Sequence, residues 1–320
     1  MEKRHSLSPI RPSTLAFFRE GRRLPGYSLL DWLHGYIYGR WPYFYIAIGR
    51  GTHPLARLFG PALRRLAGWL WLRSDGKKDG AEAESSAGTG GFADTYHGKV
   101  MPLEGATRLI TLGEEVCLPN LENVIPYAQA RDIVLRNPDH IVAIECPCRS
   151  TKPNPCLPLD VCLAVGEPFA SFTAEHHPKR SRWITVEEAA RILREEHERG
   201  HVHHAFFKDA MLGRFYAICN CCTCCCAAVN AHRNGTPMLA SSGYLCRVDG
   251  ASCLGCGSCA GICPFGAISV NGGPATVDAD RCMGCGVCIS HCSGTALVLV
   301  RDPSRSAPLD IAEIQNAGTA

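Results

Sequence analysis

Eight cysteines near the C-terminus repeat one spacing: Cys253, Cys256, Cys259 and Cys263 run up to Pro264, and Cys282, Cys285, Cys288 and Cys292 run up to Ser293. Three thiolates on one tight loop can each meet a different iron of a cubane. The fourth, three residues on, opens a helix that faces away and serves a second centre. The chemistry this spacing points to is one-electron transfer through two 4Fe-4S clusters. Gly255, Gly257, Gly284 and Gly286 fall between ligands, where a backbone without Cβ can wrap an inorganic core and turn amides toward its sulfides. Zinc on the same thiolates is the competing reading, but zinc normally uses two separate C-x2-C hooks.

Over roughly residues 245–302 the chain resembles the bacterial dicluster ferredoxins, on the strength of that double C-x2-C-x2-C-x3-C run. The resemblance implies one cluster on Cys253, Cys256, Cys259 and Cys292, and a second on Cys282, Cys285, Cys288 and Cys263. Ala267–Val270 and Ala296–Val300 read as the matching strands of a pseudo-twofold ferredoxin-like βαββαβ unit. Ser293 stands where the first copy has Pro264, which loosens the second helix exit and removes no ligand.

Twelve of the 20 cysteines lie outside this repeat, and ten of them form two groups. The first is Cys146, Cys148, Cys156 and Cys162, and the second is Cys219, Cys221, Cys222, Cys224, Cys225 and Cys226, while Cys117 and Cys246 stand apart. Pro126–Leu135 reads as a helix and His140–Glu145 as a short apolar strand that delivers the C-P-C-R segment. If that segment is extended, Cys146 and Cys148 point the same way and bind different irons of one cubane. Thr185–Glu198 reads as a helix with a T-x-x-E box at Thr185 and Glu188, stopped by Gly200. Adjacent cysteines such as Cys221 and Cys222 face opposite ways. Ten thiols therefore support one further cluster, or two at most. The ligand set favoured by sequence is Cys146, Cys148, Cys156 and Cys162, with Cys219, Cys221, Cys222 and Cys225 as the competing or second set. Zinc and free thiols are the alternatives. The strings ECPCRS, CLPLDVC and ICNCC, joined to the C-terminal repeat, make the span from about Thr95 to Pro303 similar to a group of bacterial and archaeal 4Fe-4S binding proteins. That resemblance implies an architecture and no reaction.

Other residues weigh less. Arg149 follows Cys148 directly and suits an ion pair to Glu145 or Asp160, or a hydrogen bond to cluster sulfide or an anionic substrate. His201, His203 and His204 read as a histidine-rich strand face without metal. His291, beside Cys292, reads as a packing residue. No Walker motif, dinucleotide fingerprint or hydrolase elbow occurs, which argues against nucleotide binding.

These segments need elements to hold them. At 320 residues and 46% hydrophobic content the chain can bury a sizeable core. The expected fold class is α+β and multi-domain. Residues 1–73 form a basic, aromatic, helical docking region, 74–91 a flexible linker, 92–245 a cysteine-rich α+β domain, 246–302 the dicluster unit and 303–320 a tail. Residues 1–73 carry 12 Lys/Arg against 3 Asp/Glu within a chain of net charge +3. Tyr27–Ile48 and Phe59–Arg73 are rich in Trp, Tyr and Leu but broken by charge and proline, which suits an anionic membrane surface or a partner's groove better than a span. No reader motif for nucleic acid accompanies the basic residues. The N-terminus lacks a secretory apolar run. The expected setting is therefore cytoplasmic, peripheral at the membrane face and anaerobic, with a redox protein or membrane redox complex as partner. Together these features describe an electron carrier that relays single electrons through two ferredoxin-type clusters and a further middle-domain cluster. The alternatives are a reductase with a catalytic middle cluster and a scaffold for metal or cluster maturation.

Overall fold

The computed structural model describes residues 10–55, 96–127 and 131–318. The expected amphipathic segment Phe59–Arg73 and the linker 74–91 lie outside these residues. A mostly antiparallel eight-stranded sheet forms the centre, in the order β2-β3-β4-β7-β6-β1-β8 with β5 added against β3. The strands are β1 (Tyr96–Met101), β2 (Val116–Leu118), β3 (Ile133–Ile144), β4 (Cys162–Glu167), β5 (Ser181–Ile184), β6 (Val202–Lys208), β7 (Arg214–Cys221) and β8 (Leu239–Ala240).

Alternation along the strands divides the core into two layers. Ala205, Phe207, Phe215 and Ile218 face one layer, which is closed by the helices Leu103–Ile110 and Val186–Glu198. Val202, Phe206 and Tyr216 face the other, with Phe17, Phe169 and Phe172. The Val186–Glu198 helix starts where expected: the Thr185 side chain accepts from the Glu188 amide at 3.2 Å, and Gly200 leaves the helix with a left-handed φ of 80°.

Two local expectations are corrected. Ile133–Leu135 belong to strand β3 rather than to a helix. Their alternating burial and β-branched side chains suit a sheet, and Pro138 bars a helix through that stretch. Cys148 sits in the single helical turn Pro147–Ser150, so the C-P-C-R segment is not extended beyond Cys146.

The helices α1 (Pro12–Gly21), α2 (Leu29–Arg40) and α3 (Pro42–Gly49) were expected to form a separate docking region, but they pack on the central sheet. Thr14 Oγ1 lies 2.8 Å from His176 Nε2, Tyr38 and Tyr216 pair through their hydroxyls at 2.8 Å, and Tyr43 donates to the Glu145 carbonyl at 3.0 Å. Gly35 brings α2 so close that any Cβ there would collide with the carbonyl of Ala210. The aromatic residues of this region complete the second core layer, which is why they are abundant. No described helix is long and apolar enough to cross a membrane.

The C-terminal segment has the element order β9 (Tyr244–Val248), a helix (Ser258–Ile262), β10 (Ile268–Ser269), β11 (Thr276–Val277), a helix (Val287–Ser290), β12 (Leu297–Arg301). Strands β9 and β12 pair antiparallel, as do β10 and β11. The tail ends in a helix, Ile311–Gly318, whose first residue joins the first core layer.

Candidate metal centres

In the C-terminal segment the four glycines between ligands, Gly255, Gly257, Gly284 and Gly286, all have left-handed φ, between 63° and 80°. Each loop can therefore curl its cysteines inward. Cys253, Cys256 and Cys259 line a small cavity with Cys292 from the other repeat, and Cys282, Cys285 and Cys288 line another with Cys263. The amides of Ala275, Ala267 and Ala296 point at the sulfurs of Cys253, Cys263 and Cys292, each at 3.3 Å. Such donors match what an iron–sulfur cluster asks of its surroundings. The residues present thus fit two 4Fe-4S clusters.

The two cavities differ in setting. Cys256 is exposed beside Leu254, which is 72% exposed, whereas Cys285 is buried and its thiol is pushed up by burial. Met283, Cys285 and Val287 pack into the same core layer as Cys221 and Cys226. The second cavity thus faces the rest of the molecule and the first faces outward. His291 spans the Val287 and Glu198 carbonyls, and His197 meets Ser290 Oγ at 2.7 Å, so this segment is pinned to the helix Val186–Glu198. Cys246 does not stand apart: its thiol lines the second cavity, 3.6 Å from that of Cys288.

A cavity of about 570 Å³ lies between the sheet and α3. Cys146 and Cys148 reach it from the turn after β3, Cys162 from the start of β4, Cys219 and Cys221 from one face of β7, and Cys226 from the turn after β7, with Cys222 at its border. These thiols touch in sequence. Cys146 meets Cys148 and Cys162, Cys162 meets Cys219, and Cys226 meets Cys148 and Cys221. The Cys226 thiol, with His204 beside it, draws Cys221 down to about 6 against the cost of burial. Hydrogen bonds from Cys146 and Cys226 likewise hold Cys148 well below the ordinary thiol value. Their neighbours Cys146 and Cys226 are pushed up in return, and Cys162 and Cys219 are raised as well, so two of the six thiols give up protons readily and a thiophilic metal would have to displace the protons of the other four. Tyr38, Tyr45, Tyr96, Phe206 and Met238 form the apolar wall opposite.

Cys156 lies elsewhere. With Cys222, Cys224 and Cys225 it forms a group whose four sulfurs are within 4.8 Å of one another. The structure therefore brings Cys146, Cys148 and Cys162 together but adds Cys219, Cys221 and Cys226 to them, and it gives Cys156 to Cys222 and Cys225. The cause is the connection between strands. A strand sends Cys219 and Cys221 to one face and Asn220 to the other, and the turn after Cys221 carries Cys222 onward while returning Cys226. Cys224 and Cys226 were missing from the ligands chosen by sequence. The period of two in C-N-C marked Cys219 and Cys221 as partners, but nothing local marked the return of Cys226. Cys117 lies on β2, exposed.

Arg149 borders the cavity, but its guanidinium is engaged by protein partners. It is 1% exposed, pairs with Glu196, and donates to the Pro158 carbonyl at 2.6 Å and the Asn220 carbonyl at 3.0 Å. Its partner is Glu196 rather than Glu145 or Asp160, because the helix Val186–Glu198 covers the turn that bears Arg149. Burial works against the Glu196 carboxylate, but His201, 2.7 Å away, and Arg149 hold it below the usual carboxylate range. His203 bonds Asn220 at 2.6 Å, and burial pushes it down to about 3. Arg50, at the end of α3, was not foreseen. It donates to the carbonyls of Cys148, at 2.9 Å, and Cys225, and so clamps the N-terminal helices over both thiol groups.

No curated protein matches the chain. Residues 245–293 match the family model of the 4Fe-4S dicluster domain, which marks this C-terminal segment, with its two inward-turned cysteine quartets, as an iron–sulfur domain suited to electron transfer.

Proposed function

We propose that the protein relays single electrons through the two ferredoxin-type clusters to a third iron–sulfur centre in the large cavity. The observation that carries this reading is the convergence of six thiols, from Cys146, Cys148, Cys162, Cys219, Cys221 and Cys226, on one cavity of about 570 Å³ that Cys222 also borders. The cluster on Cys253, Cys256, Cys259 and Cys292 exchanges electrons with an external redox protein at the exposed Cys256 side. The cluster on Cys263, Cys282, Cys285 and Cys288 passes them inward, since Cys285 shares a core layer with Cys221 and Cys226. The chain's role is to hold the centres close together, dry and ringed by amide donors, which sets their potentials.

Anaerobic iron and sulfide quantification on the full chain tests this. The expected content is about 12 iron per chain, from three four-iron clusters. The C146S/C148S double variant is expected to lose about four iron and keep the ferredoxin-type EPR signals. A wild-type chain with about eight iron that this substitution leaves unchanged would falsify the third centre.

A second reading, a reductase whose middle centre is catalytic, is favoured by the size of the cavity. Measured alike, the two ferredoxin cavities have about 20 and 10 Å³, whereas this one has about 570 Å³, room for a small organic molecule beside a cluster. In that reading the cluster supplies electrons, and the walls of Tyr38, Tyr45, Tyr96 and Phe206 would seat an apolar or aromatic substrate and exclude water.

The outer side of α2 and α3 is the docking surface in this reading. Leu29 and Leu30 are 66% and 76% exposed, and Leu33, Ile37, Trp41 and Phe44 continue the patch, with Arg40 beside it. Exposed apolar side chains edged by arginine suit a peripheral membrane face or a membrane-bound redox complex.

A further inference from the structure

We infer that Cys156, Cys222, Cys224 and Cys225 bind a single zinc ion, distinct from every iron–sulfur centre. Four thiolates on one tetrahedral ion with bonds of about 2.3 Å stand about 3.8 Å apart. The thiolates of a cubane each sit outside a different corner of the iron tetrahedron and stand much farther apart. Here all four sulfurs lie within 4.8 Å, with Cys156 2.8 Å from Cys224 and Cys224 3.6 Å from Cys225. Among the described residues this is the only thiol quartet so closely drawn. The two ferredoxin quartets, whose spacing is made for cubanes, are wider, so the same structure supplies its own measure of both kinds of site.

The chain connectivity agrees with one ion. Cys222, Cys224 and Cys225 sit on one short turn, closed by the Cys226 amide donating to the Cys222 carbonyl at 3.2 Å, and that turn holds their sulfurs as close together as a single ion requires. Cys156 arrives from the loop between the Pro147–Ser150 turn and β4, so the set is complete with four protein ligands and leaves no position for a substrate, as in a structural site. Two of the thiols, Cys222 and Cys225, are buried and two reach the surface. Arg149, near the Cys222 thiol, and Arg50, on the Cys225 carbonyl, offset part of the negative charge of a tetrathiolate zinc. The ion would tie the 151–161 loop to the turn that presents Cys221 and Cys226 to the cavity, and so would fix the geometry of the neighbouring iron–sulfur centre without taking part in electron transfer.

The test is metal analysis of the full chain, prepared anaerobically. About one zinc per chain is expected beside the iron, and X-ray absorption at the zinc edge is expected to show four sulfur neighbours at about 2.3 Å with no iron neighbour. The C156S/C224S variant is expected to lose the zinc and keep its iron, and C146S/C148S is expected to do the reverse. A zinc-free wild-type chain, a Cys156–Cys224 disulfide found by thiol counting, or loss of about four iron from C156S/C224S would each overturn the inference. Should that variant fail to fold, the absorption spectrum of the wild-type chain decides alone. The relay reading is judged by the iron count, so the two stand or fall separately.

Discussion

Arg149 and Glu196 are both 1% exposed and form the most deeply buried ion pair among the described residues. Breaking such a pair leaves an uncompensated charge in a low-dielectric interior, at a cost of about 3–5 kcal/mol. Glu196→Ala is therefore expected to lower stability by about that much in denaturant unfolding, and to loosen Cys146 and Cys148, which flank Arg149 in the same turn. A loss under 1 kcal/mol would mean that the four-residue network with His201 and Asn220 carries little. Arg149→Met, of similar volume, should be less harmful when combined with Glu196→Leu, since two apolar groups leave nothing unpaired.

Three titratable side chains hold the first helix: His176 meets Thr14, Glu175 accepts from Ser13, and Glu20 on the helix pairs with Arg214 at 2.7 Å. His176 is held neutral, down to about 4, by burial and then by Arg11 and Arg40, and in that form its ring meets Thr14 while Ser13 donates to Glu175 at 2.6 Å. A histidine whose folded value lies below its unfolded value of about 6.5 contributes fully above that value. Its contribution is lost as pH falls through the folded value. Stability is thus expected to decline between pH 6.5 and 4 as α1 releases Phe17 from the second core layer, and His176→Gln is expected to flatten the decline. Native-state hydrogen exchange over residues 12–21 at two pH values checks it. Exchange that is equally slow at both would show that the His176 contact does not hold the helix.

At the scale of the whole molecule the two ferredoxin-type sites have unequal positions, and the proposed relay gives them unequal roles. Replacing Cys285 with Ser is expected to leave the outer cluster reducible by a protein donor while slowing reduction of the middle centre, followed by freeze-quench EPR. Equal rates in wild type and variant would mean that electrons enter the middle centre by another route. The exposed patch on α2 and α3 makes its own prediction. Leu30→Glu with Phe44→Glu should weaken binding to anionic vesicles or to a membrane fraction. Each apolar side chain that is buried on docking contributes about 1.5–3 kcal/mol, so each change should cost roughly tenfold or more. Flotation that is unchanged by both would remove the patch from consideration as the docking face.

The C-terminal unit was legible from sequence because its information is local. Eight cysteines at fixed short spacings, with glycine between them, leave few ways to wrap a cluster, and the βαββαβ order observed at Tyr244–Arg301 is the one that repeat implies. The Thr185 cap and the Gly200 stop were legible for the same reason. The middle thiols were not. Their segments are joined only by pairings across the sheet, with β3 on β4, β4 on β7 and β7 on β6, and register across strands decides which sulfurs converge. So Cys156 reads as a neighbour of Cys162 in sequence and becomes a neighbour of Cys224 in space. Arg149 found Glu196 because a helix folded over it, and the N-terminal aromatics became a core wall because the sheet offered an open face. Residue types and spacing determined that the C-terminal segment is an iron–sulfur domain with two cysteine quartets. Only the tertiary structure decided how the other thiols divide, because that division depends on contacts between segments far apart in the chain.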